Sequence, residues 1–96
     1  MKTKLIAALC IVFSTGSLAA TKEEYCVSYA EVAENVMLMR QDGTSILKQL
    51  EVAGDSEFIK EIILRAYKVN QYNSREVKKR AVNKFVSDSY FLCMKS

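Results

Sequence analysis

The chain has 96 residues with three cysteines and no histidine, and 14 basic residues stand against 11 acidic ones. Such a length supports one small domain. The lack of histidine removes the commonest general base and metal ligand. The three glycines stand alone, so there is no glycine-rich phosphate loop. The composition therefore argues against an enzyme and implies no metal or cofactor.

Residues 1–20 have the composition of a secretory signal peptide. Lys2 and Lys4 give a basic start, residues 5–13 are apolar, and small residues lead up to Ala20. As a helix the apolar run rises only about 14 Å, less than half of a ~30 Å hydrocarbon core, so a membrane anchor is disfavoured. We expect cleavage after Ala20 or the alanine before it, and a soluble product in the periplasm or outside the cell.

Cleavage would leave a single domain of residues 21–96. Because the leader takes two lysines with it, 12 basic residues remain against 11 acidic ones, a net charge of +1. Nucleic-acid binders draw affinity from a strongly basic surface, so nucleic acid is not the expected partner. A domain this small buries a low fraction of its surface and has a marginal core.

Two cysteines remain in this domain, Cys26 near its start and Cys93 near its end. In an oxidising compartment they are expected to form a disulfide, which would stabilise the fold by roughly 4 kcal/mol in the chain-entropy treatment. A zinc site would need closely spaced ligands, usually with histidine, and a catalytic thiol would need a base partner. The sequence therefore predicts a structural disulfide that ties the two ends together.

The longest amphipathic pattern predicts a first helix that runs to about Arg40. Thr21 can cap this helix, and Glu23 and Glu24 suit its positive N-terminal end. Gly43 is placed to take the left-handed conformation that ends a helix.

A second, shorter helix is expected between a cap at Thr44 or Ser45 and a stop at Gly54. Its apolar positions are predicted to face inward and its polar positions outward. The inward set is Ile46, Leu47 and Leu50, and the outward set is Lys48, Gln49 and Glu51.

A third helix is predicted from Glu57 to about Asn70. Leu64 lies off its apolar stripe, so we expect this helix to be covered on more than one face. Glu61 and Arg65 have the i,i+4 spacing of a supporting ion pair. The stripe consists of Ile59, Ile62, Ile63, Ala66 and Tyr67.

The fourth helix is predicted to reach about Cys93. Asn73 with Glu76 would form a capping box at its start, and Ser74 is a second cap candidate. One face is apolar, and the other is expected to be a solvated cationic face, with binding to an anionic membrane surface as the alternative. The cations are Arg75, Lys78, Lys79, Arg80 and Lys84. With no predicted strand, the fold class is all-α, a small bundle of about four helices with its termini tied by one disulfide.

Short motifs spread across nearly the whole of residues 21–96. They are Cys26, Val36-Met37, Arg40-Gln41-Asp42-Gly43, Ala66-Tyr67, Tyr72-Asn73-Ser74, Phe85 and Cys93. With these motifs, of which Arg-Gln-x-Gly is the most distinctive, the chain resembles a group of small secreted proteins of bacteriophages and prophages of Gram-negative hosts, whose functions are largely uncharacterised. The resemblance implies a periplasmic destination and a small helical fold, and it supplies no catalytic residues.

The leading functional hypothesis is an exported protein-binding module that occupies an envelope, lysis or entry component. The candidate binding residues are Met37, Met39, Arg40, Gln41, Tyr67 and Tyr72. The methionines suit an adaptable surface, although core packing of residues 36–39 is the simpler interpretation. Arg40 and Gln41 have a structural alternative as well, because they can satisfy the carbonyls that end the first helix.

Two other functions stay open at this point. A small periplasmic stress chaperone would expose apolar surface in acid, and without histidine its trigger would be carboxylates that titrate near pH 4. A membrane-surface binder would use the basic face of the last helix. In either case the expected partner is a periplasmic or envelope component.

Overall fold

The computed structural model describes residues 21–96, which fold into four helices. They are α1 (Lys22–Gln41), α2 (Ile46–Ala53), α3 (Glu57–Ala66) and α4 (Arg75–Lys95). This part of the chain contains no strand, so the all-α prediction is confirmed. The predicted signal peptide, with its cleavage site near Ala20, lies outside the described residues.

α1 and α4 form an antiparallel pair that is closed at one end by a disulfide. Cys26 in α1 bonds to Cys93 in the last turn of α4, with the two Cα atoms 5.6 Å apart. The predicted pairing is therefore confirmed, and it is compatible with an oxidising extracellular compartment. Among the helices described, none is both long and apolar enough to span a bilayer.

The other two helices build the core against this pair. α3 packs against α1, and α2 packs against α3. Every helix contributes to one continuous cluster of buried side chains, as a single small domain requires. The largest members of that cluster are Tyr29, Val36, Met37, Ile62, Ile63, Val82 and Phe85.

Side chains and one glycine set the helix ends much as the sequence predicts. Thr21 and Glu24 form a capping box at the start of α1. Ser45 and Ser56 cap α2 and α3, each accepting a hydrogen bond of 3.2 Å from the main-chain N–H three residues later. Beyond α1, Gly43 takes a φ of +92°, a conformation that L side chains rarely adopt. The capping contacts of Thr21, Ser45 and Ser56 satisfy N–H groups that the first turn of a helix leaves without a partner.

The segment between α3 and α4 departs from the prediction. α3 ends at Ala66, with Tyr67 as its C-cap, rather than near Asn70. Ser74 is the N-cap of α4 but makes no side-chain capping bond, so the predicted Asn73–Glu76 capping box is wrong. Residues 67–74 therefore form an irregular connector, and α1 side chains supply the hydrogen bonds that a longer helix would have made within itself.

Two predicted orientations on α2 are wrong. Leu47 was expected inside but is 75% exposed, whereas Gln49, expected outside, is buried. The Gln49 amide donates to the Val36 carbonyl at 3.2 Å and to the Tyr67 hydroxyl at 2.7 Å. A buried amide with partners on other helices can occupy the inward stripe of a short helix, and hydropathy alone does not detect this. On α3, Leu64 is half-exposed, so this residue is not among those that α1 and α2 cover.

Arg65 also differs from its prediction. Instead of pairing with Glu61 on the surface, its Nη2 atom donates to the Tyr29 hydroxyl at 3.0 Å and to Ser89 Oγ at 3.2 Å. The guanidinium carbon lies 5.0 Å from the centroid of the Phe85 ring. Arginine is suited to this site because its flat cation stacks on aromatic rings while still donating hydrogen bonds.

Candidate functional site

Gln41, one of the predicted binding residues, holds the connector from inside the protein. Its side chain is only 3% exposed. Nε2 donates to the Asn70 carbonyl at 2.8 Å, and Oε1 accepts from the Tyr72 N–H at 2.9 Å. The main-chain oxygen of Gln41 accepts from Lys78 Nζ, which draws this lysine away from the predicted solvated face of α4. One glutamine thus joins the end of α1 to the connector and to the start of α4.

Arg40 and Tyr67 complete the same arrangement. Arg40 Nε donates to the Val69 carbonyl at 3.1 Å, and its guanidinium carbon lies 4.9 Å from the centroid of the Tyr67 ring. The Tyr67 hydroxyl donates to the Thr44 carbonyl at 2.6 Å and accepts from Gln49. We call Arg40, Gln41, Gln49 and Tyr67, with the main chain that they bind, the polar clamp.

The structural interpretation of Arg40 and Gln41 therefore needs one correction. Both were expected to satisfy the carbonyls at the end of their own helix, but both bind the connector, 29 residues further along the chain. The helix end is instead closed by main-chain bonds: Asp42 and Gly43 donate to carbonyls of the last turn, and Gly43 supplies the turn. Sequence spacing cannot reveal a partner that only the tertiary fold brings near.

The two candidate methionines differ in how deeply they are buried. Met37 is fully buried, and its sulfur accepts from Gln41 Nε2 at 3.6 Å. Met39 is 37% exposed. The predicted patch therefore cannot act as one surface, because Met37 and Gln41 lie inside the protein. Arg40, Tyr67 and Tyr72 are partly buried.

A different surface of the molecule is open and apolar. It is the side of the α1–α4 pair that lies away from α2 and α3, and we call it the α1–α4 face. Two depressions follow it, of about 380 Å³ near the disulfide and about 610 Å³ near the clamp, lined by α1, α4 and residues that flank them. Phe91 is 61% exposed, Leu38 is 50% and Val27 is 48%. Leu38 lies about 16 Å along α1 from Val27, with Glu31 and Glu34 between them. The face therefore presents two separate exposed apolar groups, one at each depression.

Charge is divided between the two helices of the α1–α4 face. The depression near the disulfide contains Glu31 and Glu34, both on α1, and no lysine or arginine. The depression near the clamp contains Glu34 and Asp42 from the α1 side and Arg75, Lys78 and Lys79 from α4. Sequence analysis missed this face, although its signal was available as a second stripe on α1, offset from the core stripe.

A third depression of about 620 Å³ lies between the connector and α4. Its rim carries Lys68, Arg80 and Lys84, the last of which pairs with Asp88 at 2.8 Å. Its floor is apolar and consists of Val69, Val77, Ala81 and Phe85. A cationic rim over an apolar floor is chemically suited to an amphipathic anion.

Comparisons of this chain with protein-family models, with curated proteins and with solved structures find no match. Within residues 21–96, no group of three cysteine, aspartate or glutamate side chains is arranged to hold a metal ion. The surface features that remain are the α1–α4 face and the cationic depression.

Proposed function

We propose that this chain is an exported, periplasmic protein-binding module that acts by occupying a partner protein. The observation that carries the proposal is the α1–α4 face, where Val27, Leu38 and Phe91 stay exposed in a domain with little apolar surface to spare. The Phe91 ring lies edge-on to the neighbouring Tyr90 ring, with the ring centroids 5.9 Å apart, and most of it stays exposed. An exposed aromatic anchor of this kind is typical of the centre of a protein interface.

Two further observations support the periplasmic part of the proposal. The disulfide suits an oxidising compartment, and the first 20 residues have the composition of a signal peptide. The resemblance to phage-encoded secreted proteins directs attention to envelope, lysis or entry components as the partner class.

Capture from the periplasm tests this proposal. The full-length chain with a C-terminal tag is expressed, crosslinked and purified, and mass spectrometry identifies its companions and its own N-terminus. We expect one dominant envelope protein and a chain that begins just after Ala19 or Ala20. Phe91→Glu is expected to abolish the capture, because it places a charge at the proposed anchor.

Leu47→Glu is the matched control, since Leu47 is at least as exposed but lies on α2. Both variants must show the wild-type thermal transition by circular dichroism before capture is compared. Capture that is lost equally in both variants, or a scatter of unrelated clients, would contradict the proposal; the scatter would favour the chaperone.

A second candidate function rests on the cationic depression between the connector and α4. Its three cations and apolar floor are suited to the anionic surface of a bilayer. Arg80→Glu is expected to reduce co-sedimentation with phosphatidylglycerol-containing vesicles, and Lys48→Glu on α2 serves as the control. Binding that does not fall with added salt, or that both variants reduce equally, would argue against it.

A further inference from the structure

We propose that the cationic depression between the connector and α4 binds one single-chain amphipathic anion, with the chain along the apolar floor and the charged head at the rim. The inference deepens the second candidate function, because it rests on the same depression and names a single ligand molecule, instead of a bilayer, as the occupant. Three observations carry it: the balance of charge around the depression, the apolar strip on its floor, and the way in which the clamp fixes one of its walls.

Of the three depressions described above, this one has the largest excess of positive charge. Its lining includes three cations and one carboxylate, that of Asp88. The depression near the clamp sets three cations against two carboxylates, and the depression near the disulfide contains carboxylates but no cation. An anionic ligand is therefore expected between the connector and α4 rather than on the α1–α4 face.

Two of the three cations have no charged partner within residues 21–96. Lys84 forms an ion pair with Asp88, with Nζ 2.8 Å from the carboxylate. The only other ion pair in this part of the chain lies on α3, so Lys68 and Arg80 are exposed and unpaired. Arg80 offers a planar fork of donors that matches a carboxylate or phosphate head. The head is thus placed at Arg80, and Asp88, which would repel it, lies about 12 Å further along α4.

The floor of the depression is an apolar strip along α4. Val77, Ala81 and Phe85 follow one another at i,i+4 spacing, so they lie in one row that runs about 12 Å along the helix. Val69 adds an apolar side chain from the connector. Because helical side chains lean toward the N-terminal end of their helix, Arg80 serves the Val77 end of this row. With the head there, the chain of the ligand runs toward Phe85.

The connector forms the other wall, and the clamp holds this wall in place before any ligand is bound. Arg40 donates to the Val69 carbonyl at 3.1 Å. Gln41 donates to the Asn70 carbonyl at 2.8 Å and accepts from the Tyr72 N–H at 2.9 Å. Because these bonds engage only main-chain atoms of the connector, its side chains remain available to line the depression. A wall that is already ordered lowers the entropy cost of binding.

The combination of charge and apolar surface selects the class of ligand. Exposed cations alone hold a small hydrophilic anion weakly in water, and an apolar molecule would leave the cations unused. A flat bilayer would touch the exposed rim but leave the recessed floor uncovered, whereas a single chain covers the floor. The volume of about 620 Å³ lies within the range of roughly 300–1,000 Å³ that small-molecule sites occupy. A chain with one carboxylate or phosphate head uses both features.

Decyl phosphate, kept below the concentration at which it forms micelles, is the probe that tests this inference. It is titrated into the exported, purified protein, and amide chemical shifts in NMR spectra report where it binds and how tightly. We expect saturable binding of one molecule, with the largest shifts in residues 68–72 and 77–85. Octyl phosphate, which is two methylenes shorter, is expected to bind about ten-fold more weakly. Inorganic phosphate and decanol, each of which lacks one half of the ligand, are also expected to bind more weakly than decyl phosphate.

Arg80→Glu is expected to weaken the binding of decyl phosphate about ten-fold, since it replaces the partner of the head with a repelling charge. Lys79→Glu is the matched control: it makes the same change of charge one residue away, but Lys79 lines the depression near the clamp. Ala81→Leu, which fills the floor, is expected to weaken the binding of decyl phosphate more than that of inorganic phosphate. Equal losses in the Arg80 and Lys79 variants, or shifts confined to the α1–α4 face, would overturn the inference.

Vesicles distinguish a single bound molecule from a bilayer. A protein that binds decyl phosphate but does not co-sediment with phosphatidylglycerol-containing vesicles would support this inference and contradict the second candidate function. Co-sedimentation that depends on Arg80, without binding of decyl phosphate, would overturn the inference and leave the bilayer interpretation. Binding of neither would overturn both, and capture of an envelope protein through Phe91 does not depend on either result.

Discussion

The two ends of the α1–α4 pair are held together by different means. At one end a single covalent bond joins Cys26 to Cys93. At the other, Gln41 and its neighbours join the same two helices and the connector through hydrogen bonds. The covalent end places almost no demand on the neighbouring residues, whereas the polar end depends on several groups that must all be in place. A small domain can therefore fix one end of a helix pair with a covalent bond and the other end with several hydrogen bonds.

The largest expected effect comes from opening the covalent end. The double variant Cys26→Ser, Cys93→Ser should lower the free energy of unfolding by about 4 kcal/mol, because the unfolded chain regains the freedom that a 67-residue separation removes. Chemical denaturation with and without reductant measures this. The variant should be insensitive to reductant, and a wild-type protein that is equally insensitive would contradict the prediction.

A smaller effect is expected at the polar end. Gln41→Ala should cost about 2 kcal/mol, because the Asn70 carbonyl and the Tyr72 N–H lose their partners in a partly buried site. Hydrogen exchange should then accelerate at the Tyr72 amide while the amides around Cys93 stay protected. Gln71→Ala is the matched control, an exposed glutamine of the same connector. Equal losses in the two variants would mean that the clamp contributes little.

The smallest effect is expected at the turn beside the clamp. Gly43→Ala should cost about 1 kcal/mol, because φ is +92° there and alanine is strained in that region. The added Cβ would lie 3.3 Å from Nε2 of Gln71, a flexible side chain that can move. Gly43→Asn should cost less, since asparagine tolerates positive φ better. Thermal melting of the two variants measures the difference, and equal melting points would show that backbone strain is not the cause.

The two sides of the α1–α4 pair also differ, because only one of them is covered by the other helices. The side of the α1–α4 pair that meets α3 is filled by Tyr29, Ile62 and Phe85, while the other side keeps Phe91 and Leu38 exposed. The two helices available to cover this pair, α2 with 8 residues and α3 with 10, lie on the same side of it. The uncovered side is the one on which the proposed function rests.

Parts of the candidate site could be predicted and parts could not. Of the six candidate binding residues, Arg40, Gln41, Tyr67 and Tyr72 lie together around the connector, and their role in binding stays a prediction. Their structural role was not predictable, because it depends on which carbonyls lie within reach of Gln41, and Asn70 is 29 residues away. Gln49 was missed for the same reason: its polar side chain suggests solvent, and only the Val36 carbonyl and the Tyr67 hydroxyl explain its burial.

The sequence by itself determined the number and kind of elements, the cap at Thr21, the turn at Gly43 and the pairing of the two cysteines, and it narrowed the cap of α2 to Thr44 or Ser45. These features depend on local backbone chemistry, on helical periodicity and on there being only two cysteines to pair in this region. Only the tertiary structure decided which side of α2 faces inward, where Arg65 points, and which side of the α1–α4 pair stays open. Those outcomes depend on the packing of segments that are far apart in the chain. Burying one amide or leaving one apolar stripe uncovered changes the free energy of folding more than any local helix preference does.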